Sequence, residues 1–148
     1  LPDPISTVLA GERLYDGMVT VKDVIGDWRL DADLVTLSAC QTGLGKRTAG
    51  EGYIGLAHAF LQAGAHSLLV SLWKVDDEAT FLLMSRFYEN WLGSRGDSGE
   101  DTERTRMAKV DALREAKLWL REYEDEFGNR PYEHPYFWSA FILIGDPS

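Results

Sequence analysis

The chain has 148 residues, with 15 Lys and Arg against 24 Asp and Glu, so its formal net charge is −9. This length predicts one domain with a substantial core, and the negative charge argues against nucleic acid or a membrane as a direct partner because both are anionic. Its longest apolar runs reach about eight residues, whereas a membrane-spanning helix needs roughly 20. The single cysteine excludes an internal disulfide and favours a reducing, cytoplasmic location.

Three apolar runs predict buried strands, at residues 34–39, 67–73 and 137–144. They are apolar almost throughout instead of alternating, which is typical of a sheet covered by helices on both faces. Residues 6–9 predict a short edge strand. Because helical patterns separate the buried strands, we expect parallel strands joined by right-handed crossovers, which is an α/β fold.

Apolar side chains at helical spacing predict four helices, with stripes at residues 21–25, 53–61, 80–91 and 107–127. Gly64 is expected to end the second helix, and Asp76 or Asp77 to cap the third. Residues 93–101, between the third and fourth helices, are rich in Gly and Ser and are expected to form a flexible loop.

Cys40 stands where the first predicted strand ends, and ligands of parallel sheets bind at the carboxyl ends of strands. A nucleophile needs such an exposed position, with backbone N–H groups nearby to hold an oxyanion. An ordinary thiol has a pKa near 8.5 and is only roughly 3% thiolate at pH 7, so it also needs a base or a positive charge beside it. From these residues alone, a buried and inert cysteine is the favoured interpretation.

Residues 50–55 match the pattern G-x-G-x-x-G at the start of a helix, and Asp76 follows at the distance expected of a ribose-binding acid. Two features argue against a dinucleotide site. Ten residues separate the strand end at Ala39 from the first glycine, and Glu51 would place a carboxylate against a pyrophosphate. No cofactor is therefore expected.

The histidines of the chain are His58, His66 and His134. None forms a close metal-ligand pair with another histidine or with Cys40, so no metal site is expected. Each of them is more typical of a packing or surface residue than of a base.

Two successive acids, Asp76 and Asp77, follow the second predicted strand. Adjacent carboxylates there can select a cationic group by charge pairing. Either acid taken singly is better explained as a helix cap, but capping needs only one of them and leaves the other free.

Four segments together resemble the CHAT domain, a family of caspase- and separase-like cysteine peptidases that is often attached to tetratricopeptide repeats. They are LVTLSACQTG at residues 34–43, GYIGLAHAFLQAGA at 52–65, SLWKVDD at 71–77 and HPYFWSAFILIG at 134–145. Their order and spacing match the family across nearly the whole chain. Four motifs in register are more specific than any one of them, so the resemblance reverses the interpretation of Cys40.

The resemblance implies a caspase-like three-layer α/β/α sandwich with a mostly parallel sheet, in which Cys40 is the catalytic thiol. The loop that helps to form the oxyanion hole would comprise Gln41, Thr42 and Gly43. By analogy with related folds, the pocket for the residue before the cut would be lined by Trp73, Asp76 and Asp77. Their charge would favour Lys or Arg in that pocket.

In this family the general base is a histidine followed by glycine, upstream of a segment that resembles residues 4–10, and this chain begins at Leu1. None of the three histidines occupies that position. We therefore expect residues 1–148 to be the C-terminal part of a CHAT domain, incomplete at the N-terminus, with the base outside this chain.

The expected function is that of a cysteine endopeptidase domain in a regulatory or defence protein, inactive as this isolated chain. Its expected partners are a protein or peptide substrate, the upstream half of the domain that carries the histidine, and a tetratricopeptide-repeat domain. Two alternatives stay open. One is a non-catalytic protein-interaction module of the same fold, and the remote one is a dinucleotide-binding domain.

Overall fold

The computed structural model describes residues 19–37, 49–93 and 106–148, with the backbone alone for residues 49–54. The strand predicted at residues 6–9 lies outside the described residues, and so does the loop predicted at residues 93–101, apart from Gly93. The described elements are, in chain order, α1 (Val21–Asp27), β1 (Val35–Leu37), α2 (Ala49–Gln62), β2 (Ser67–Ser71), α3 (Asp77–Leu92), α4 (Lys109–Glu122), α5 (Pro135–Trp138) and β3 (Phe141–Gly145).

The described strands form one sheet in the order β1-β2-β3. β1 pairs with β2 in parallel, with Leu37 opposite Val70, as the strand–helix alternation predicts. β3 pairs with β2 in the antiparallel sense, with Phe141 opposite Ser71. The prediction of parallel pairing is therefore wrong for the third strand.

The direction of β3 follows from the two helices that precede it. α3 leaves the carboxyl end of β2, and α4 packs against α3 and returns the chain to that same end of the sheet. A single crossover helix would have returned the chain to the opposite end and produced a parallel strand. Arg86 joins the two helices, since its Nε and Nη2 donate to the Glu115 carboxylate at 3.0 and 2.5 Å.

Helices cover both faces of the sheet because its side chains alternate between two apolar clusters. Leu69 packs with α3, α4 and Phe141 on one face. Leu68 and Val70 pack with α1 and α2 on the other face. All five residues of β2 are buried, so this strand forms the centre of the core. The described chain is thus a mixed α/β fold around a small three-stranded sheet.

Two predicted boundaries are wrong. The run predicted as a strand from Phe137 begins instead with the short helix α5, since His134 caps it and Pro135 occupies its first turn. The helix predicted to reach residue 127 ends at Glu122, because the chain then turns around Asp125, which accepts the backbone N–H groups of Phe127 and Asn129.

Gly64 ends α2 as its sequence position predicts. Its φ is +112°, and the amide of Ala65 donates to the Phe60 carbonyl at 3.1 Å while that of Gly64 donates to the Leu61 carbonyl at 3.2 Å. These two bonds form a Schellman cap. A Cβ at this position would overlap the carbonyl oxygen of Leu30, so the close approach itself requires glycine.

We predict that Gly64→Ala lowers the free energy of unfolding by about 2 kcal/mol or more, because it adds both strain and a backbone clash. Gly55→Ala is the matched control. Gly55 lies inside α2 with open space around it, and the change should raise stability by about 0.5–1 kcal/mol. Urea denaturation measures both variants, and equal effects would contradict the assignment.

Candidate active site

The candidate site lies at the end of the sheet where the parallel strands β1 and β2 both finish. This end is called the carboxyl end of the sheet. Their parallel register places Leu37 opposite Val70, so both chains leave the sheet at the same end. Cys40 follows Leu37 by three residues, but Cys40 and the predicted loop residues Gln41, Thr42 and Gly43 lie outside the described residues. Their catalytic roles therefore stay predictions.

Trp73 leaves the end of β2 and is held by α5. Its indole Nε1 donates to the Tyr136 carbonyl at 2.9 Å, and the two rings stack with centroids 6.2 Å apart. The Tyr136 hydroxyl donates to the Lys74 carbonyl at 2.5 Å. With Val75 buried in the core behind it, this loop is fixed at both its backbone and its aromatic side chain.

Three successive acids follow this loop, and they have different partners. Asp76 caps α3, since its Oδ1 accepts the amides of Glu78 and Ala79 at 3.0 and 3.1 Å. Glu78 lies near the Tyr132 hydroxyl, and its carboxylate raises the pKa of that hydroxyl. Asp77 is exposed and has no hydrogen-bond or ion-pair partner within the described ranges. The prediction of a cap is confirmed for Asp76, and Asp77 is the acid whose carboxylate is left for another group.

Tyr132 is the buried partner in this arrangement. Burial, followed by the interaction with the Glu78 carboxylate, raises the pKa of its hydroxyl to about 12. Its ring packs against those of Tyr123 and Phe137 at 5.9 and 5.3 Å. The first turn of α3 is thereby tied to the segment that precedes α5.

All three histidines are within the described residues. His58 is exposed on α2, and His66 precedes β2 at the opposite end of the sheet, where its Nδ1 lies 3.4 Å from Asp33. His134 lies beside the candidate site, but its Nδ1 accepts the Tyr136 amide at 3.1 Å as the cap of α5. A neutral imidazole that accepts through Nδ1 carries its proton on Nε2, so in this geometry neither nitrogen can take a proton from a thiol.

The sequence profile of the CHAT domain matches residues 5–146, nearly the whole chain. The chain belongs to the CHAT domain family. It is also 30% identical over 132 residues to the Mus musculus protein named Tetratricopeptide repeat protein 28, and 33% identical over 132 residues to the Homo sapiens protein of that name. The matches cover 89% of this chain but only 5% and 4% of those relatives, so it spans about a twentieth of their length. No solved structure matches the chain.

Two residues of this CHAT domain that bear on the site were missed by the sequence reasoning. Tyr136 lies in α5 and Tyr132 shortly before it, and this helix is not predicted from the sequence. Tyr136 braces Trp73, and Tyr132 engages Glu78. The available signal was Pro135 directly before aromatic residues, because proline is favoured at the first position of a helix.

Within residues 19–37, 49–93 and 106–148, no cluster of three or more His, Cys, Asp or Glu side chains is placed to bind a metal ion. In the same ranges, no helix of this CHAT domain combines the length and apolarity that crossing a membrane requires.

We predict that Tyr132→Phe lowers the free energy of unfolding by about 1 kcal/mol at pH 8, because it removes the contact between the buried hydroxyl and the exposed Glu78 carboxylate. The pKa of Tyr132 is higher in the folded chain than in the unfolded chain, so its neutral hydroxyl stabilises the fold. This stabilisation is complete below the unfolded pKa, near 10, and is lost as the pH rises to about 12. The gap between wild type and variant should therefore shrink over that interval.

The control is Tyr123→Phe, since Tyr123 packs on Tyr132 and its hydroxyl makes no hydrogen bond within the described part of the chain. It should change stability little at either pH. Denaturant titrations at pH 8 and pH 11.5 compare the variants, and equal losses for both would contradict the role of the Tyr132 hydroxyl.

Proposed function

We propose that this CHAT domain is a cysteine endopeptidase domain with Cys40 as its nucleophile. The observation that carries the proposal is the parallel pairing of β1 with β2, which ends both strands at the same end of the sheet. Position 40 follows Leu37 by three residues, which span at most about 11 Å, and this short reach supports a thiol near the loop that starts at Leu72. Trp73 and Asp77 follow within that loop.

The reaction follows from this placement. The Cys40 thiolate attacks the peptide carbonyl carbon, and the thiol proton passes to a histidine that later delivers it to the leaving amine. The backbone N–H of Cys40 and the loop of Gln41, Thr42 and Gly43 stabilise the oxyanion. Water then cleaves the acyl-thioester and regenerates the thiol.

The pocket for the residue before the cut is formed by Trp73 and Asp77. The stacked Trp73 ring offers a fixed apolar wall for the methylene stem of a long side chain. The unpartnered Asp77 carboxylate then binds its charged end, which favours Arg or Lys. Asp76 contributes by holding the start of α3 in place.

The general base is contributed by a residue other than the three histidines of this chain. His66 lies at the wrong end of β2, His58 is exposed on α2, and the Nδ1 of His134 is engaged in a cap. The base and the substrate therefore depend on further protein. We place this domain in the cytoplasm as part of a regulatory or defence protein, with a tetratricopeptide-repeat domain as the partner that the names of its relatives suggest.

A non-catalytic interaction module is the second candidate function. Two observations favour it: no histidine of the chain is poised as a base, and the relatives are named for repeats that the matched segment does not comprise. In that case Cys40 has no selective chemistry and the fixed loop around Trp73 serves as a binding surface.

We predict that a peptide acyloxymethyl ketone with Arg at its reactive end alkylates Cys40 faster than the same peptide with Leu. Asp77→Asn should slow the Arg probe roughly fivefold and leave the Leu probe unchanged, because only the Arg probe loses a charged hydrogen bond. Mass spectrometry at pH 8.5, where an ordinary thiol is about half ionised, gives the rates without requiring a base.

Asp111→Asn is the matched control for this experiment. Asp111 is also an exposed acid in the first turn of a helix, but α4 starts at the opposite end of the sheet. It should leave both rates unchanged. Equal rates for the Arg and Leu probes, or an equal effect of the two variants, would remove the support for a basic pocket and favour the interaction module.

We further predict that the 148-residue chain alone does not turn over a panel of Arg- and Lys-containing peptides. His58→Ala and His66→Ala should each leave the alkylation rate of Cys40 unchanged, since neither serves as its base. Turnover that is lost in both Cys40→Ala and His134→Ala would contradict the assignment of the base to another segment.

A further inference from the structure

A groove of about 460 Å³ runs between α4 and β3, away from the candidate active site. Its lining is mostly apolar, with Ile142, Leu143 and Trp138 on the side of the sheet. The side of α4 contributes a row of cations at Arg114, Lys117 and Arg121. Because these cations are three and four residues apart, they lie on one face of the helix.

Two of the three cations in this row are not balanced by neighbouring acids among the described residues. Arg121 pairs with the exposed Glu122 at 2.7 Å, but Arg114 and Lys117 have no acidic partner among the described residues. Lys117 is half-buried, and this burial lowers the pKa of its ammonium group. In a chain of net charge −9, the groove is thus a local cationic surface over an apolar floor.

The groove also contains an open strand edge, since β3 pairs only with β2 within the described ranges. The Asp146 amide donates to the His66 carbonyl at 3.0 Å, and the Leu72 amide donates to the Ala140 carbonyl at 2.8 Å. Antiparallel pairs alternate, so the even-numbered residues of β3 bond to β2. The N–H and C=O groups of Leu143 and Gly145 therefore point away from it and are accessible, whereas Phe141 is buried.

We propose that this groove binds an acidic peptide segment of a partner protein, which adds a strand to β3 and sets its carboxylates against Arg114 and Lys117. The open backbone groups require a ligand with amides in an extended conformation, and the cations require negative side chains. This site is separate from the proposed catalytic one and goes beyond it.

The geometry also predicts the pattern of the peptide. Leu143 lies on the α4 side of the sheet, whereas Ile142 lies on the α2 side. Side chains of an added strand alternate between these two sides, so acidic residues should occupy every second position with apolar residues between them. The two accessible outward-facing residues of β3, Leu143 and Gly145, span about 7 Å, which corresponds to a segment of about three or four residues.

The test uses a fluorescein-labelled octapeptide of alternating Glu and Val, and fluorescence anisotropy with the whole chain. The double variant Arg114→Glu and Lys117→Glu should weaken binding at least about tenfold, because two attractive pairs become repulsive. The matched control is Lys22→Glu with Arg29→Glu. This control variant changes the net charge by the same amount as the test variant, but at exposed cations on the α1 side of the sheet. It should leave the affinity for the peptide unchanged.

Backbone pairing is tested separately with two N-methylated forms of the peptide, each methylated at alternate residues. Only one set of peptide amides faces β3, so one methylated form should lose binding and the other should keep it.

The variant Cys40→Ala should bind the peptide like the wild type, so failure of the catalytic proposal leaves the peptide-binding proposal intact. The peptide-binding proposal would be overturned if the two methylated forms had equal effects or if no binding were measurable. Stronger binding of an oligonucleotide of equal charge, or self-association of the chain through Lys117, would also overturn it.

Discussion

The parallel pairing of β1 with β2 is the interaction on which the candidate site depends. β2 is buried along its whole length, and two side-chain bonds fix its neighbour: Ser67 Oγ donates to the Asp33 carbonyl at 2.5 Å, and Thr36 Oγ1 lies 2.6 Å from the Tyr88 hydroxyl. A slip of one residue would turn Thr36 from the α3 face to the opposite apolar cluster. The register therefore determines which segments meet at the carboxyl end of the sheet.

The antiparallel direction of β3 also determines which residues lie at the carboxyl end of the sheet. Because α3 and α4 form a pair of helices, the chain returns to the place where β2 finishes before β3 begins. This return brings Tyr136 onto Trp73 and Tyr132 onto Glu78. A parallel third strand would have left both aromatic residues at the other end of the sheet. The antiparallel strand thus explains why the acidic loop is fixed.

The sequence was sufficient to predict what depends on local pattern. The buried run of β2, the cap at Asp76 and the stop at Gly64 follow from apolar periodicity and from residues suited to helix ends. The CHAT family followed from four motifs in register. The short helix α5 was missed because a short apolar run does not distinguish a buried strand from a helix. The two successive helical stripes at residues 80–91 and 107–127 do indicate the direction of β3, because a pair of helices returns the chain to the end of the sheet that it left.

The most direct test of this account uses Cys40, the single cysteine, as the attachment site of a nitroxide label. Its relaxation effect on backbone amides falls steeply with distance, and β2 spans about 17 Å. If Cys40 lies at the carboxyl end of the sheet, the amide signals of Trp73 and Asp77 broaden strongly while those of His66 and Asp33 stay sharper. Stronger broadening at His66 and Asp33 than at Trp73 and Asp77 would contradict the account.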